Sequence, residues 1–400
     1  MITLQDIEDA RGRIRRDVYL SPCARSETLS RMLGCELYLK LENLQMTGSF
    51  KERGAANRLA LMAPEQRAAG IVAASAGNHA QGLAFVAKRY GVAATIVMPV
   101  GTPLIKVSST RAHGPKVVLH GESYDEAAAE ARRLADSRGL ILVHPFDDEA
   151  IIAGQGTVGL ELLEQVPELD VVIAPIGGGG LIGGVGLAIK SLRPAAAVYG
   201  VEAALVPSMQ RALDQGAPVL LEAARTLADG IAVREAGQHT LPLVQRYVDR
   251  IVSVEEEDIA QAVLLLLERE KTVAEGAGAV ALAGALYGEL PLEGKRVVLI
   301  VSGGNIDVNV LSRIIDRGLV KSGRSMRVRV RIADVPGALA RLLTVIAKHQ
   351  ANVLQVQHDR LAARTELGVT AVELVLETRG LEHMVELEQA IGASGAVVER

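Results

Sequence analysis

The sequence predicts an α/β protein built on parallel sheets, followed by a smaller α+β domain at the C-terminal end. Between about Leu37 and Ile300, short β-branched runs alternate with Ala- and Leu-rich helical stretches, the alternation that parallel sheets with helical crossovers require. The runs are apolar without a period of two, as strands are when both sheet faces are covered. Beyond Val320 the pattern changes: Arg327-Val328-Arg329-Val330-Arg331-Ile332 alternates strictly, which buries one face and turns the arginines outward. A chain of 400 residues also exceeds what one hydrophobic core fills, so two or three cores are expected.

In chain order, strands are expected at Ile71 to Ala74, Ala94 to Met98, Val117 to Leu119, Val171 to Ile176, Ala197 to Val201 and Val297 to Val301. Asp258 to Glu270 reads as one amphipathic helix that opens with acids and closes with Arg269 and Lys271, which suits the helix dipole. Lys321-Ser322-Gly323-Arg324-Ser325 has the composition of a linker, which gives domains at 1–320 and 326–400. After the alternating strand come a Pro336-Gly337 turn, a helix from Ala338 to Gln350, strands Asn352 to His358 and Val369 to Leu376, a helix from Leu381, and a short strand Ala396 to Glu399. The order is β-α-β-β-α-β.

Composition excludes several classes. With 49% hydrophobic and 22% charged residues and 40 glycines, the chain can bury large cores and make many tight turns, so it is globular. A net charge of −4, 2% aromatics and no Trp offer neither the basic field nor the stacking platforms of a nucleic-acid binder. The arginines at 327, 329 and 331 do not change that, because nine basic and nine acidic residues balance from Ser325 to Arg400. Cys23 and Cys35 have no metal or redox spacing, and no metal is expected. The acidic start, Met1 to Asp9, lacks the basic and apolar regions of a secretory signal, so a cytoplasmic location is expected. The uncharged stretch Val171 to Ile189 is long enough to span a bilayer, but Pro175 and seven glycines suit a loop instead.

Gly178-Gly179-Gly180-Leu181-Ile182-Gly183 matches the G-x-G-x-x-G dinucleotide pattern, and Glu202 stands about where a ribose-gripping acid would. Physically the glycines establish only that backbone N–H groups and a helix N-terminus are open to an anion, most often a phosphate. Three further segments bear on whose phosphate it is. Ser49-Phe50-Lys51-Glu52-Arg53-Gly54-Ala55 puts a lysine at the start of a helix; Ser75-Ala76-Gly77-Asn78-His79 follows a strand and opens another; Ser302-Gly303-Gly304-Asn305 ends a strand. Each alone has an ordinary reading as a solvated lysine, an N-cap or a turn.

Together, in this order, they resemble the fold type II pyridoxal-phosphate enzymes, in the serine/threonine dehydratase branch, from about Ile7 to Leu319. The resemblance implies two parallel-sheet subdomains with pyridoxal 5'-phosphate between them. It gives Lys51, after Phe50, the role of Schiff-base lysine, and gives Ser75, Ala76, Gly77, Asn78 and His79 the substrate carboxylate. It assigns Asn78 also to the cofactor's phenolic oxygen, Gly177, Gly178, Gly179, Gly180 and Leu181 to its phosphate, and Ser302 to its ring nitrogen. Gly230, beside Asp229, and Glu275, beside Gly276, resemble segments that line the far edge of the cofactor. The C-terminal β-α-β-β-α-β segment, with Asp334-Val335-Pro336-Gly337-Ala338-Leu339 as its opening turn, is similar to the ACT domain, a ferredoxin-like module that binds amino acids.

The implied activity is β-elimination and deamination of L-threonine to 2-oxobutanoate and ammonia, and of L-serine to pyruvate, in a homo-oligomer (dimer or tetramer) regulated by an amino-acid effector. A lysine is needed because only it offers a primary amine on a reaching stem, which then serves as base at Cα. A serine partner leaves the ring nitrogen unprotonated, which favours prompt loss of a β-hydroxyl. Serine racemases are also similar, but they carry a second serine where Ala76 stands and bind a cation through residues matching Glu202 and position 208, here Ser208. Serine dehydratase, racemase or 3-hydroxyaspartate ammonia-lyase activity, a non-catalytic amino-acid sensor and an NAD-binding protein remain as alternatives.

Overall fold

The apolar β-branched runs form the strands of two sheets in the larger part of the chain. In the computed structural model, which describes residues 1–359 and 367–399, the first sheet has the strand order Cys23–Arg25, Glu36–Leu41, Arg296–Val301, Val171–Pro175, Ala197–Ala203, Arg250–Val254. Its first pairing is antiparallel and the others are parallel. The second sheet, Lys116–Leu119, Ala94–Met98, Ile71–Ala74, Ile141–Leu142, is parallel throughout. The strand expected to stop at Val201 continues to Ala203, because Glu202 and Ala203 extend the ladder opposite Ser253 and Val254.

Both sheets are covered on both faces, which is why their strands lack alternation. In the first, Val172, Ala174, Val198, Val298 and Ile300 share a core with Val158 and Leu162 of the helix Glu149–Gln165 and with Ile182, Val185 and Ile189 of the helix Gly180–Leu192. Against the other face lies the helix Gly276–Tyr287, so close that a Cβ on Gly284 would stand 2.4 Å from the Val201 side chain. In the second sheet, Ile71, Ala73, Ile96 and Met98 meet Leu83 and Val86 of the helix Asn78–Tyr90. Val72, Ala74 and Val97 meet Ala127, Ala131 and Leu134 of the helix Tyr124–Arg138. Each Leu, Ile or Val so buried stabilises the fold by roughly 1.5–3 kcal/mol.

The chain divides into two compact units, Met1–Asp307 and Val308–Arg400. The second holds the helix Val308–Lys321 and an antiparallel sheet ordered Asn352–Asp359, Val369–Glu377, Ser325–Ala333, Val397–Glu399, with helices Ala338–Lys348 and Leu381–Ala393. Met326, Val328, Val330 and Ile332 of the strand Ser325–Ala333 are buried with Leu342, Ile346, Leu387 and Ile391. Strand ends shift by one or two residues from the sequence expectation, and two differences have a plain backbone cause. The linker expected at 321–325 is largely used up, since the preceding helix runs to Lys321, the strand begins at Ser325, and Gly323 turns between them at φ 68°. The helix expected to reach Gln350 stops at Lys348, because Gln350 takes a left-handed φ of 58°. No helix among the described residues is long and apolar enough to cross a membrane.

Candidate active site

The C-terminal ends of parallel strands are where α/β proteins gather ligand-binding loops, and here the loops after Val171–Pro175 and Arg296–Val301 meet the starts of two helices from the second sheet's side of the first unit. Lys51 is the first residue of the helix Lys51–Ala60. The loop before it is clamped to the end of strand Arg296–Val301: Phe50 N donates to the Ser302 carbonyl at 3.1 Å, and Gly304 N to the Gly48 carbonyl at 2.9 Å. That clamp delivers the Lys51 amine to a cavity, where Nζ donates to the Pro145 carbonyl at 3.1 Å and lies 5.2 Å from the Phe50 ring centre. Burial lowers its pKa to about 8, against the opposing pull of Glu275.

The cavity is lined by Phe50, Lys51, Asn78, Gly177, Gly178, Gly179, Gly180, Leu181, Gly230, Glu275 and Ser302, so it brings together all the residues expected at the cofactor. Gly179, at φ 92°, caps the helix Gly180–Leu192, and the Phe146 ring lies over Gly178, where a Cβ would stand 2.2 Å from it. A side chain at either position would force the loop to move. No described acceptor receives the amides of Gly177 to Leu181, five consecutive cavity-lining residues that lead into a helix N-terminus. Ser302 is buried, its Oγ donating weakly to the Ala277 carbonyl at 3.3 Å.

Asn78 opens the helix Asn78–Tyr90, and its Nδ2 donates to Glu275 Oε1 at 2.5 Å. Glu275 precedes the helix Gly276–Tyr287; burial, and then the charge of Asp229, push its pKa up to about 7. Gly230 sits in the turn Asp229–Ile231, 3.2 Å from Glu275 Oε1 measured from where its Cβ would be.

The rest of the segment 75–79 does not line the cavity. Ser75 Oγ accepts the amides of Gly77 and Ala80 at 3.2 and 3.3 Å, which shapes the turn into the helix. The buried His79 ring has Nε2 3.4 Å from the Val143 carbonyl, and burial, with Lys51 nearby, drops its pKa to about 3. Glu202 is also spoken for: its carboxylate accepts Met209 N at 2.8 Å and Gln210 N at 3.0 Å at the start of the helix Ser208–Gln215. Among the described residues no group of three His, Cys, Asp or Glu side chains could hold a metal ion.

Sequence reasoning missed Pro145, Phe146, Gln155, Pro175, Ile231, Val233 and Ala277, which complete the lining. They are mostly apolar and carry no motif of their own. It also missed a support behind the glycine loop. Asp147 accepts the amides of Gln238, His239 and Thr240 at 3.0, 2.8 and 3.2 Å, and Thr240 Oγ1 donates to the Gly178 carbonyl at 2.5 Å.

Comparison with known proteins agrees with this geometry. The family model for pyridoxal-phosphate dependent enzymes matches residues 14–303. L-threonine ammonia-lyase of Thermotoga maritima is 50% identical over 395 residues, 99% of this chain and 98% of that protein. Among solved structures, threonine deaminase isoform 2 of Solanum lycopersicum superimposes with a TM-score of 0.75 at 38% identity, over 78% of this chain and 87% of that one. Maize serine racemase gives 0.75 at 34% identity, over 80% of this chain and 98% of the racemase.

Proposed function

The chain belongs to the pyridoxal-phosphate dependent enzymes, with two largely parallel sheets and a C-terminal α+β unit, and from that premise we propose that it is a threonine ammonia-lyase whose C-terminal unit is an ACT domain. The observation that carries the proposal is the meeting, in a single cavity, of one amine of lowered pKa with five consecutive lining residues whose amides have no acceptor among the described residues. Those residues fit the cofactor's chemistry. The amides of Gly177 to Leu181 would hold its phosphate, Lys51 its aldehyde carbon, Asn78 its phenolic oxygen and Ser302 its ring nitrogen, with Gly230 and Glu275 at its far edge. When bound, pyridoxal 5'-phosphate supplies an aldehyde that condenses with amines and a conjugated ring that accepts electron density from the substrate's α-carbon.

Lys51 has two tasks. With its pKa near 8 a useful fraction of the amine is neutral at physiological pH, so it acts first as nucleophile and then, displaced by substrate, as the base that takes the Cα proton. Asn78, at the start of its helix and tied to Glu275, orients the substrate carboxylate, with the turn Ser75-Ala76-Gly77 and His79 behind it. The Ser302 hydroxyl offers a neutral partner where an aspartate would supply a charge, which favours loss of the β-hydroxyl over slow side reactions. Ala76 has no group that transfers a proton, which disfavours racemisation. Loss of water from L-threonine, followed by hydrolysis of the C–N bond, gives 2-oxobutanoate and ammonia; L-serine gives pyruvate by the same steps.

Threonine is placed before serine because of the near full-length likeness to an L-threonine ammonia-lyase. Borohydride reduction of the holoenzyme and peptide mapping should find the pyridoxyl group on Lys51, and Lys51→Ala should abolish turnover. Initial rates of 2-oxo acid release from L-threonine, L-serine and 3-hydroxyaspartate should rank threonine first. Label on another lysine sinks the site assignment, and serine ahead of threonine sinks the substrate.

The second unit supports regulation by an amino acid. The helix Ala338–Lys348 begins after Gly337 at φ 84° with no side-chain cap; Ala338 N donates to the Val335 carbonyl at 3.2 Å, which leaves the amides of Leu339 and Ala340 for an effector's carboxylate at the turn Asp334 to Leu339. An amino-acid effector, a homo-oligomer (dimer or tetramer) and a cytoplasmic setting complete the proposal. Threonine rates measured with isoleucine and with valine test the regulation; rates unmoved by either remove it.

A further inference from the structure

Behind the glycine loop, and outside the residues that line the cavity, stands a buried hydroxyl with an unusual choice of partner. Thr240 is fully buried and begins the helix Thr240–Tyr247. Its Oγ1 has two carbonyls in reach: Gly237, three residues back, at 3.3 Å, and Gly178, far away in sequence, at 2.5 Å. A hydroxyl has one proton, and the shorter bond takes it. A local bond would have served a threonine in a helix's first turn, so the long-range bond is what distinguishes this position. The same Gly178 carbonyl also receives Gly237 N at 3.4 Å.

The bond has a directional consequence. In a trans peptide the carbonyl and the following N–H point in opposite directions. With the Gly178 oxygen drawn toward Thr240 and Gly237, the Gly179 N–H is turned the other way. Gly179 lines the cavity, and its amide has no acceptor among the described residues. The hydroxyl is itself held in place by Asp147, whose carboxylate accepts the amides of residues 238 to 240. Asp147 lies next to Phe146, whose ring covers Gly178. The glycine loop is therefore clamped by a side chain on one side and steered through its peptide plane on the other.

We propose that Thr240 is a positioning residue for the cofactor's phosphate: by holding the Gly178 carbonyl it aims the Gly179 amide at the phosphate oxygens. This rests on the reading of Gly177 to Leu181 as the phosphate loop. Without the hydroxyl, only the longer bond from Gly237 N holds the Gly178 carbonyl, so the peptide plane is less firmly fixed and the Gly179 amide less well aimed. Preorganised donors aimed at a fixed anion are worth more than donors that must be ordered on binding.

The test compares two ligands that differ only in the phosphate. Full-length wild type, Thr240→Val and Thr240→Ser are stripped of cofactor, and binding of pyridoxal 5'-phosphate and of pyridoxal is measured by equilibrium dialysis. Thr240→Val, which keeps the shape, should bind pyridoxal 5'-phosphate about tenfold more weakly and pyridoxal within about twofold of wild type. Thr240→Ser, which restores a hydroxyl, should recover most of the loss. Equal weakening toward both ligands, or none toward either, overturns the role of Thr240. Wild type that binds the two ligands equally well overturns the phosphate loop itself, an outcome the variants cannot mimic.

Discussion

The Asn78 side-chain amide is held from both ends: Nδ2 donates to Glu275 Oε1 at 2.5 Å, and Oδ1 accepts Asn305 Nδ2 at 2.9 Å. Asn305 Nδ2 also donates to the Thr47 carbonyl at 2.7 Å, so one side-chain amide NH2 ties the lysine loop to the asparagine loop. The arrangement fixes which end of the Asn78 amide faces Glu275. Asn305→Ala should raise KM for threonine by about three- to tenfold, the worth of one buried hydrogen bond of roughly 1 kcal/mol. Asn305→Asp should cost more, because its carboxylate would face two carbonyl oxygens. Steady-state kinetics on both variants check this, and an unchanged KM in the aspartate variant contradicts it.

Lys51 should stand apart from the other lysines in its titration. In the chain freed of cofactor, competitive acylation at a series of pH values should give Lys51 a midpoint near pH 8, the value to which burial lowers it. Glu275 opposes that lowering with its negative charge. Glu275→Gln should therefore move the midpoint below that of wild type. A midpoint that rises in the variant would mean the carboxylate does not face the amine.

Much of this site was legible because a few residue types are chemically irreplaceable. Lys51, Asn78, the glycines 177–180 and Ser302 stand at strand ends and helix starts, which periodicity locates, and all of them reach one cavity. Asp147, Thr240 and Asn305 were harder to read. They act through contacts to backbone far away in sequence, and a lone Asp or Thr before a helix reads first as a cap. Glu202 shows the converse: its spacing from the glycines invited a ligand role, yet both its oxygens accept backbone amides. In the fold, the strand patterns carried the sheets, whereas the unit boundary depends on which side the helix Val308–Lys321 packs, and composition does not encode that.

Glu202 also gives a pH dependence whose sign is fixed. Burial pushes its carboxyl up to about 7, against the lowering by the Met209 and Gln210 amides. Between its ordinary value of 4.5 and about 7 the folded chain binds more protons than the unfolded one, so stability falls as pH rises through that window. The cost approaches roughly 3 kcal/mol above pH 7. Urea unfolding of the cofactor-free chain at pH 5 and pH 8 should show this loss. Glu202→Gln should shrink the difference between the two pH values whatever its absolute stability; a difference of wild-type size assigns the effect elsewhere.

Two residues beyond Lys51, Arg53 is fully buried between two carboxylates. Its Nε and Nη2 donate to Glu42 at 2.7 and 2.8 Å, and its Nη1 and Nη2 to Glu161 at 2.7 and 2.8 Å. Lys40 Nζ completes the group with Glu161 at 2.6 Å, so two positive and two negative side chains balance out of reach of water. Burial alone would raise the Glu42 carboxyl; the charge of Arg53 and its hydrogen bonds overcome that and hold it below the usual range. Arg53→Met leaves one cation for two carboxylates and should cost about 3–5 kcal/mol. Arg53→Lys should recover little, since a single ammonium cannot replace a fork that serves both acids. The double change Arg53→Met with Glu42→Met removes one charge of each sign, and it should cost less than Arg53→Met alone despite altering more of the core. Urea midpoints of these variants and of Glu42→Met alone decide the matter. A double variant as unstable as the sum of its parts would show that packing at these positions, and not charge balance, sets the energy.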